Sequence, residues 1–159
     1  MISVRDYRPE DAQELANIYF HTIHRINIKD YTQEQVDAWA SPSGFKSSSG
    51  VEGWAKKFAR TKPLVAVIED KIVGFAEFEP NGHIDCFYCH HEWIGKGAGS
   101  ALMKEILVRA KKNHIHRVFA EVSITAKPFF EKCNFVVVME QVDYKKGIGL
   151  VNYKMERRI

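Results

Sequence analysis

The chain has only three cysteines among its 159 residues, a low and odd number that argues against a framework of disulfides. No stretch approaches the roughly 20 apolar residues that a membrane span requires, and the first residues carry no signal-peptide pattern. The net charge is only +3, too small to indicate nucleic-acid binding but suited to an anionic small ligand. We therefore expect a single domain spanning residues 1–159, located in the reducing cytoplasm, that binds neither a membrane nor nucleic acid.

Glycine, in contrast, is concentrated in one stretch, which reads Ile94-Gly95-Lys96-Gly97-Ala98-Gly99-Ser100. An apolar run at 84–89 comes before it, and apolar residues at helical spacing follow it, so the glycines lie between a strand and a helix. The missing side chains leave backbone N–H groups open to an anion, and the helix N-terminus adds about half a positive charge. Lys96 adds a full charge. We call residues 94–99 the glycine turn and predict that it binds phosphate.

The spacing of these glycines separates the turn from two common phosphate-binding motifs. It lacks the Gly-Lys-Ser/Thr ending of a P-loop. Gly95, Gly97 and Gly99 alternate, so the turn also lacks the Gly-x-Gly-x-x-Gly pattern of dinucleotide-binding folds. The turn therefore indicates a different class of phosphate-bearing ligand.

Hydrophobic periodicity and turn signals give the order of elements along the chain. A helix is expected after Pro9, and Thr32 with Gln35 forms a capping box for a second helix. Composition predicts a loop at 41–50. Strands are expected at 2–7, 64–69, 71–79, 83–89, 117–122, 135–142 and 150–155, and further helices at 51–60, after the glycine turn and at 126–132.

A second motif lies further along and reads Ser123-Ile-Thr-Ala-Lys-Pro-Phe-Phe-Glu-Lys-Cys-Asn-Phe135. It is similar to the Asn-x-x-Ala-x-x-Phe-Tyr-Glu-Lys-x-Gly-Phe segment of the GCN5-related N-acetyltransferases (the GNAT family). The glycine turn resembles that family's Gln/Arg-x-x-Gly-x-Gly/Ala loop for the pyrophosphate of acyl-CoA, with Ile94 in the first position. The resemblance covers essentially the whole chain. It implies an α/β (α+β) fold, with a central mixed, mostly antiparallel sheet and helices on both faces.

The resemblance also implies that acetyl-CoA is the cosubstrate. It would lie in a V-shaped gap between the strand before the glycine turn and the strand after the following helix, held in part by main-chain groups at 87–89. The residues implied to bind it are Phe87, Tyr88, Cys89, Ile94, Gly95, Lys96, Gly97, Ala98, Gly99, Ser100, Ser123, Ala126, Phe129, Phe130 and Lys132.

Phe130 departs from the family pattern in a way that matters for catalysis. The family usually has a tyrosine there, which protonates the departing thiolate, and phenylalanine cannot donate a proton. The acid must then be water or another residue, with Tyr144 and Tyr153 near the last hairpin as candidates. Both tyrosines also fit ordinary surface or core positions. Asn134, where glycine is common, is a mild change because asparagine tolerates positive φ.

The family often uses a carboxylate on the strand before the glycine turn, or water held by it, to take the proton from the amine. His83, Asp85 and Phe87 share one face of this strand by alternation. Asp85 is the first candidate because it lies nearest the expected thioester, and His83 and Glu77 follow. An ordinary solvated carboxylate is an equally good interpretation of Asp85.

The segment Cys86-Phe-Tyr-Cys89-His90 matches the C-x-x-C-H pattern of c-type haem attachment and has the spacing of a zinc ligand pair. In a strand, however, residues 86 and 89 point to opposite faces, and Cys133 supplies no second pair. We therefore expect no metal, and interpret the cysteines as small buried side chains.

The primary interpretation is an N-acetyltransferase that moves the acetyl group of acetyl-CoA to a primary amine of a small molecule or peptide by direct attack. The alternative is an acyl-CoA-binding sensor with little catalytic activity, which Phe130 and Ile94 motivate. His24, Tyr31 and Trp39 lie in helices that flank the acceptor side in the family, and are candidate acceptor-binding residues, although such aromatics also suit a core. The sequence does not indicate which amine is the acceptor. Dimers are common in the family, so a homodimer is consistent with the resemblance.

Overall fold

The computed structural model describes residues 1–46 and 48–159 and, within that part of the chain, no helix is both long and apolar enough to cross a membrane. The strands are β1 (Ile2–Asp6), β2 (Leu64–Ile68), β3 (Lys71–Phe78), β4 (His83–Cys89), β5 (Arg117–Ser123), β6 (Val136–Lys145) and β7 (Ile148–Arg158). The helices are α1 (Ala12–Arg25), α2 (Gln33–Trp39), α3 (Pro42–Lys46), α4 (Ser48–Thr61), α5 (Ala98–Lys112) and α6 (Lys127–Lys132).

The strands form one seven-stranded sheet in the order β1-β2-β3-β4-β5-β7-β6. Neighbouring strands are antiparallel except β4 and β5, which are parallel. This mixed, mostly antiparallel sheet confirms the fold class that the resemblance implied. The two strands of the parallel pair, β4 and β5, are connected through helix α5.

Helices cover both faces of the sheet, and each face has its own core. On one face, α5 contributes a stripe of buried residues at helical spacing, and α6 extends this cover. On the other face, α1, α2 and α4 pack over the sheet with Leu15, Ile18, Val36 and Phe58 fully buried. We call these the α5 face and the α4 face.

Local signals in the sequence place several element ends correctly. Thr32 and Gln35 form the expected capping box at the start of α2, with the Gln35 N–H donating to Thr32 Oγ1 at 3.1 Å and the Thr32 N–H donating to Gln35 Oε1 at 2.8 Å. Asn134 has the expected positive φ, at 67°. At these two sites the sequence correctly predicts the side-chain cap and the positive φ.

The prediction of a loop at 41–50 is wrong within the described residues, because α3 and the start of α4 lie there; residue 47 lies outside them. Pro42 is the first residue of α3, a position where its fixed φ favours a helix. The Gly44 N–H donates to Ser41 Oγ at 3.4 Å, so serine acts as a cap. Serine and proline at this point begin a helix, although their composition suggested a loop.

A β-bulge interrupts the alternation of β4. Ala76 pairs with Phe87 and Phe78 pairs with Ile84, so Asp85 and Cys86 together oppose one residue of β3. Phe87 therefore joins Ile84 on the α5 face, while Cys86 packs on the α4 face. The expectation that Asp85 and Phe87 share a face is wrong, because the extra residue shifts the alternation by one.

Candidate active site

Strands β4 and β5 separate soon after they begin. Only His83 with Phe119 and Ile84 with Ala120 are paired, although each strand continues for several residues. We call the space beyond these pairs the gap. Its β4 edge has main-chain groups with no neighbouring strand, which is the V-shaped arrangement that the sequence implied.

The alternation of an antiparallel pair decides which main-chain groups of β4 face the gap. The His90 N–H donates to the Val73 carbonyl of β3 at 2.8 Å, so the main-chain groups of Tyr88 also point to β3. Those of Phe87 and Cys89 point the other way, into the gap. The Cys89 carbonyl there accepts a hydrogen bond of 2.7 Å from a threonine hydroxyl of α1. Phe87 and Cys89 thus present main-chain groups to a ligand, whereas the Tyr88 side chain packs in the core of the α4 face.

The gap opens into a cleft of about 670 Å³. The cleft runs from the end of β4 to the glycine turn on one side and to α6 on the other. Twelve of the fifteen predicted cofactor-binding residues line it: Phe87, Tyr88, Cys89, Ile94, Gly95, Gly97, Gly99, Ser100, Ser123, Ala126, Phe129 and Lys132. The sequence reasoning therefore found most of the cleft wall.

The glycine turn has the backbone that an anion-binding turn needs. Gly95 has φ +75° and Gly97 has φ +100°, and Gly97 is the N-cap of α5. The first helical hydrogen bond runs from the Ala101 N–H to the Gly97 carbonyl at 3.0 Å. The N–H groups of the three residues between them have no acceptor within the helix. These N–H groups and the helix dipole give the turn end of the cleft a positive potential.

Gly99 is required for a different reason. A Cβ at this position would lie 3.1 Å from Phe129 Cζ and 3.5 Å from Cys89 Sγ. Helix α5 can approach the aromatic ring of α6 this closely only because residue 99 has no side chain.

Three predicted cofactor residues do not line this cleft. Ala98 is buried in the core under the turn. The Lys96 ammonium lies 5.2 Å from the centre of the Trp93 ring. Phe130 lines a smaller cavity of about 60 Å³ within the gap instead.

Phe130 is part of an aromatic cluster that closes the α5 face of the gap. It is 3% exposed, and its ring centre lies 5.4 Å from that of Phe87, 5.8 Å from that of Phe129 and 5.1 Å from that of Phe135. Edge-to-face packing of this kind holds rings in fixed positions. The site that the family uses for a proton donor is here an apolar wall.

Two of the three candidate base residues, Glu77 and Asp85, lie around a lysine that the sequence analysis did not select. Lys57 Nζ of α4 is 3.0 Å from Glu77 Oε1, 3.3 Å from Asp85 Oδ2 and 3.5 Å from Cys86 Sγ. Glu77 is 1% exposed, whereas the Asp85 side chain is 44% exposed and lines the smaller cavity. Of the three candidate bases, Asp85 is therefore the one at the surface of the gap.

The matching family model is described as an acetyltransferase (GNAT) domain and covers residues 27–157. The chain belongs to the GNAT family of acetyltransferases. It is 29% identical over 154 residues to the uncharacterized N-acetyltransferase YafP of Escherichia coli (strain K12), covering 97% of this chain and 94% of that protein. A GCN5-related N-acetyltransferase structure from Rhodopseudomonas palustris has a TM-score of 0.90 at 27% identity, over 99% of this chain and 95% of the other.

A more distant structure has the same fold. The PaiA N-acetyltransferase from Thermoplasma acidophilum, solved in complex with coenzyme A, has a TM-score of 0.74 at 18% identity, over 100% of this chain and 99% of that one. Family and fold together identify this protein as an acetyl-CoA-dependent acyltransferase.

His83, the second candidate base of this acetyltransferase, has both ring nitrogens in hydrogen bonds to carboxylates. Its Nδ1 contacts Glu79, and its Nε2 lies 2.9 Å from Glu121 Oε1. Burial lowers the pKa of His83, but these two hydrogen bonds outweigh burial and the pKa is raised. A charged imidazole with both nitrogens donating has no lone pair to accept a proton from an amine.

The two tyrosines considered as the acid of the acetyltransferase lie away from both cavities. Tyr144 is 69% exposed near the turn of the β6–β7 hairpin. Tyr153 is half-buried on β7, with Lys127 Nζ 5.0 Å from its ring centre. A hydrogen bond from its hydroxyl to Glu140 raises the pKa of Tyr153. The structure brings neither hydroxyl to the gap.

Only one of the three predicted acceptor-binding residues reaches a cavity. Trp39 lines the smaller cavity. Tyr31 is buried, where its hydroxyl donates to the Val151 carbonyl at 2.6 Å and accepts from the Ile124 N–H at 3.0 Å. His24 Nε2 contacts the Ala40 carbonyl at 2.7 Å. Tyr31 and His24 therefore hold the helices and strands together rather than line the gap.

The cysteines lie as the alternation of β4 required. Cys86 packs on the α4 face and Cys89 on the α5 face, so their thiols do not converge. Burial raises the pKa of the Cys89 thiol to about 11. Among the described residues, Glu77, Asp85 and Cys86 place possible metal-ligand atoms within 4.8 Å of one another. The Lys57 ammonium lies against all three residues and occupies the position that a metal ion bound by them would need.

Sequence reasoning missed two groups of residues at this site. The first is Lys57, whose only signal was its place three residues after Trp54 in the helix predicted at 51–60, a spacing that puts two side chains near each other. The second consists of cleft residues that lie within the second motif but were not selected, namely Thr125, Pro128 and Cys133, and of residues on or just after helix α1, namely Thr22, Ile26 and Asn27. The α1 residues reach the cleft through tertiary packing, for which the sequence pattern gave no signal.

Proposed function

We propose that this acetyltransferase moves the acetyl group of acetyl-CoA to a primary amine of a small molecule or peptide by direct attack. The observation that carries this proposal is the 670 Å³ cleft, in which the open edge of β4 and the glycine turn face the same space. An elongated ligand with a phosphate-bearing end and an amide-bearing end fits both. The coenzyme A complex of the PaiA fold relative supports the same ligand class.

The proposed binding mode follows from the groups that each end offers. The glycine turn and the N-terminus of α5 would hold the pyrophosphate through N–H groups and the helix dipole. The main-chain groups of Phe87 and Cys89 would pair with the amides of pantetheine, as a neighbouring strand would. This mode places the thioester in the gap, close to Asp85 and the aromatic wall.

The proposed reaction is one nucleophilic substitution at the thioester. The lone pair of the neutral amine attacks the carbonyl carbon, a C–N bond forms, and the C–S bond breaks. The amine nitrogen loses one proton to Asp85, directly or through water, and the CoA thiolate takes up one proton. Because a thiol such as that of cysteine has a pKa of only about 8.5, a thiolate is a stable leaving group, and we propose that water can supply that proton without a tyrosine at position 130.

The smaller cavity is the proposed entrance for the amine. It is lined by Asp85, Trp39 and Ser123 and also by Phe87, which belongs to the aromatic cluster beside the proposed thioester position. A carboxylate and an aromatic ring at one opening suit an amine that arrives as an ammonium ion. The identity of the acceptor stays open between small molecules and peptide amines.

An acyl-CoA sensor is the second candidate function, and the buried Phe130 favours it. A site built to bind the coenzyme without efficient turnover needs the cleft but not a proton donor. The two functions differ in one measurable property, namely release of CoA that depends on an acceptor.

The test combines calorimetry with a turnover assay. Acetyl-CoA should bind with a 1:1 stoichiometry, and a panel of primary amines should include some that release CoA and yield an N-acetylated product by mass spectrometry. Binding without release by any amine would support the sensor. Absence of binding would contradict both functions.

A homodimer and a cytoplasmic location stay predictions. Strand β6 is an edge of the described sheet, and Val136, Val138, Met139, Val142 and Tyr144 on it are each about half exposed or more. An edge of this kind is where we expect two copies to meet. Sedimentation velocity tests this, with a monomer at all concentrations as the contrary result.

A further inference from the structure

We propose that Lys57 is a positioning residue for acetyl transfer, with its ammonium fixing the Asp85 carboxylate, in ionised form, at the mouth of the gap. This inference rests on the proposed function, in which Asp85 takes the amine proton. Nothing in the two recognised sequence motifs includes Lys57, which lies on a different helix and on the opposite face of the sheet from α5.

The first observation is that Lys57 connects a buried carboxylate to an exposed one. Its Nζ lies 3.0 Å from Glu77 Oε1 and 3.3 Å from Asp85 Oδ2. The Glu77 side chain is 1% exposed, whereas that of Asp85 is 44% exposed. Glu77 is therefore the anchor of the ammonium, and Asp85 is the partner that solvent and an acceptor can reach.

The second observation is that the fold brings Lys57 to this place by two devices. The β-bulge puts both Asp85 and Cys86 opposite Glu77, so the carboxylates lie close enough for one ammonium. On α4, the neighbouring Phe58 is fully buried, and Lys57 Nζ lies 5.2 Å from the centre of the Trp54 ring. Packing of α4 against the sheet thus fixes the stem of the lysine.

The third observation concerns the charge of Lys57. Burial lowers the pKa of Lys57, but the two adjacent carboxylates and the hydrogen bond to Glu77 raise it, and the net shift of the pKa is upward. Lys57 is therefore a cation throughout the working pH range. It cannot itself be the base that accepts the amine proton.

Of the other titratable groups near this cluster, three are neutral, and the Glu121 carboxylate of β5, which lines the same cavity as Asp85, is hydrogen-bonded to His83. Tyr19 of α1, Tyr88 of β4 and Cys86 all have pKa values raised chiefly by burial. The cluster therefore holds one cation and two carboxylates. Glu77 and Lys57 balance each other, and the remaining negative charge resides at Asp85.

The consequence is that the ammonium decides how easily Asp85 takes up a proton. An opposite charge 3.3 Å away favours the ionised form of a carboxylate, so loss of the ammonium would make protonation of Asp85 easier. With Lys57 present, the ammonium holds the Asp85 carboxylate in one orientation when the amine arrives. Without it, the base is occupied by a proton over part of the pH range.

The experiment uses the double variant Lys57→Met/Glu77→Gln, because it removes the cation and its buried partner together and leaves no unpaired buried charge. We expect it to fold and to bind acetyl-CoA with the wild-type Kd by calorimetry. Because the double variant also removes the negative charge of Glu77, its kcat/KM profile is compared with that of Glu77→Gln, relative to which the acidic limb should move upward by about one pH unit, with a larger loss at pH 6 than at pH 8.

Glu77→Gln alone is the matched second variant. It keeps the ammonium against Asp85 and removes a competing negative charge, so its acidic limb should move downward, in the opposite direction. This variant tests the proposal even if the double variant does not fold. Lys56→Met, an exposed neighbour on α4, should leave the profile unchanged.

Two results would overturn the proposal: acidic limbs that coincide in wild type and both variants, or an upward shift for Glu77→Gln. If Lys57 had a purely structural role, its replacement would lower the stability of the protein and leave the acidic limb of the kcat/KM profile unchanged. Failure of the proposed function looks different, because the wild type itself would then bind no acetyl-CoA or show no turnover with any amine.

Discussion

Replacement of Gly97 by alanine tests the glycine turn most directly. Gly97 has φ +100° and ψ −4°, a conformation that L-residues rarely adopt. A Cβ at this position would meet only Ile2 Cδ1, at 3.8 Å, which is an ordinary contact. The expected effect therefore comes from the backbone and not from a clash.

The magnitude follows from the strain of such a conformation, about 1–3 kcal/mol for a residue with a side chain. If the turn keeps its shape, Gly97→Ala loses this much stability, and Tm falls by about 2–4 °C for each kcal/mol in a chain of this length. If the turn relaxes instead, its N–H groups change direction and the Kd for acetyl-CoA rises about tenfold, equivalent to about 1.4 kcal/mol. The strain must be visible in one measurement or the other.

Thermal melting and calorimetry on one preparation separate these two outcomes. Gly53→Ala is the matched control, because Gly53 lies inside α4 with nothing within 4 Å of an added Cβ. The control should gain about 0.5–1 kcal/mol from the higher helix propensity of alanine. A Gly97→Ala variant with unchanged Tm and unchanged affinity would refute the assignment of the glycine turn.

Three further predictions concern single side chains. Asp85→Asn should lower kcat/KM by roughly 10²-fold with an unchanged Kd for acetyl-CoA, and normal turnover would remove Asp85 as the base. Phe130→Tyr should raise kcat with little change in KM for acetyl-CoA in steady-state kinetics, because a positioned donor would replace water, whereas no gain would indicate that protonation of the thiolate does not limit turnover. The pKa of His83 is raised in the folded state, so its stabilising contribution is fully present below the unfolded value of about 6.5 and is lost as the pH rises through the folded value. The Tm difference between wild type and His83→Asn should therefore shrink from pH 6 to pH 9, and a difference that grows would contradict this sign.

The cofactor side of the site was readable from the sequence because it depends on local backbone chemistry. Glycines between a strand and a helix specify the turn, and the turn with the helix N-terminus forms one end of the cleft. The family resemblance then placed Phe87 and Cys89 at the gap. The turn itself follows from residues close together in the chain, so pattern and spacing were sufficient to predict it.

The catalytic side was less readable because it depends on a register shift and a long-range contact. Strict alternation put Asp85 and Phe87 on one face, and the bulge separates them. Lys57 contacts Asp85 only because α4 packs on the sheet. For a lysine on an amphipathic helix, the sequence does not indicate whether the ammonium is solvated or buried. The helices at 41–50 were missed for a related reason, since the composition of Ser41 and its neighbours fits both a loop and a helix start.

Because of the gap, a bound coenzyme would also contribute to the stability of the sheet. The strand pairing that joins β1–β4 to the other three strands consists, in the described structure, of His83 with Phe119 and Ile84 with Ala120. A ligand that pairs with Phe87 and Cys89 would supply the rungs that this seam lacks. At a coenzyme concentration 100 times Kd, binding would stabilise the folded chain by about 2.7 kcal/mol. The thermal and proteolytic resistance of this protein in a cell would then follow the local supply of acyl-CoA.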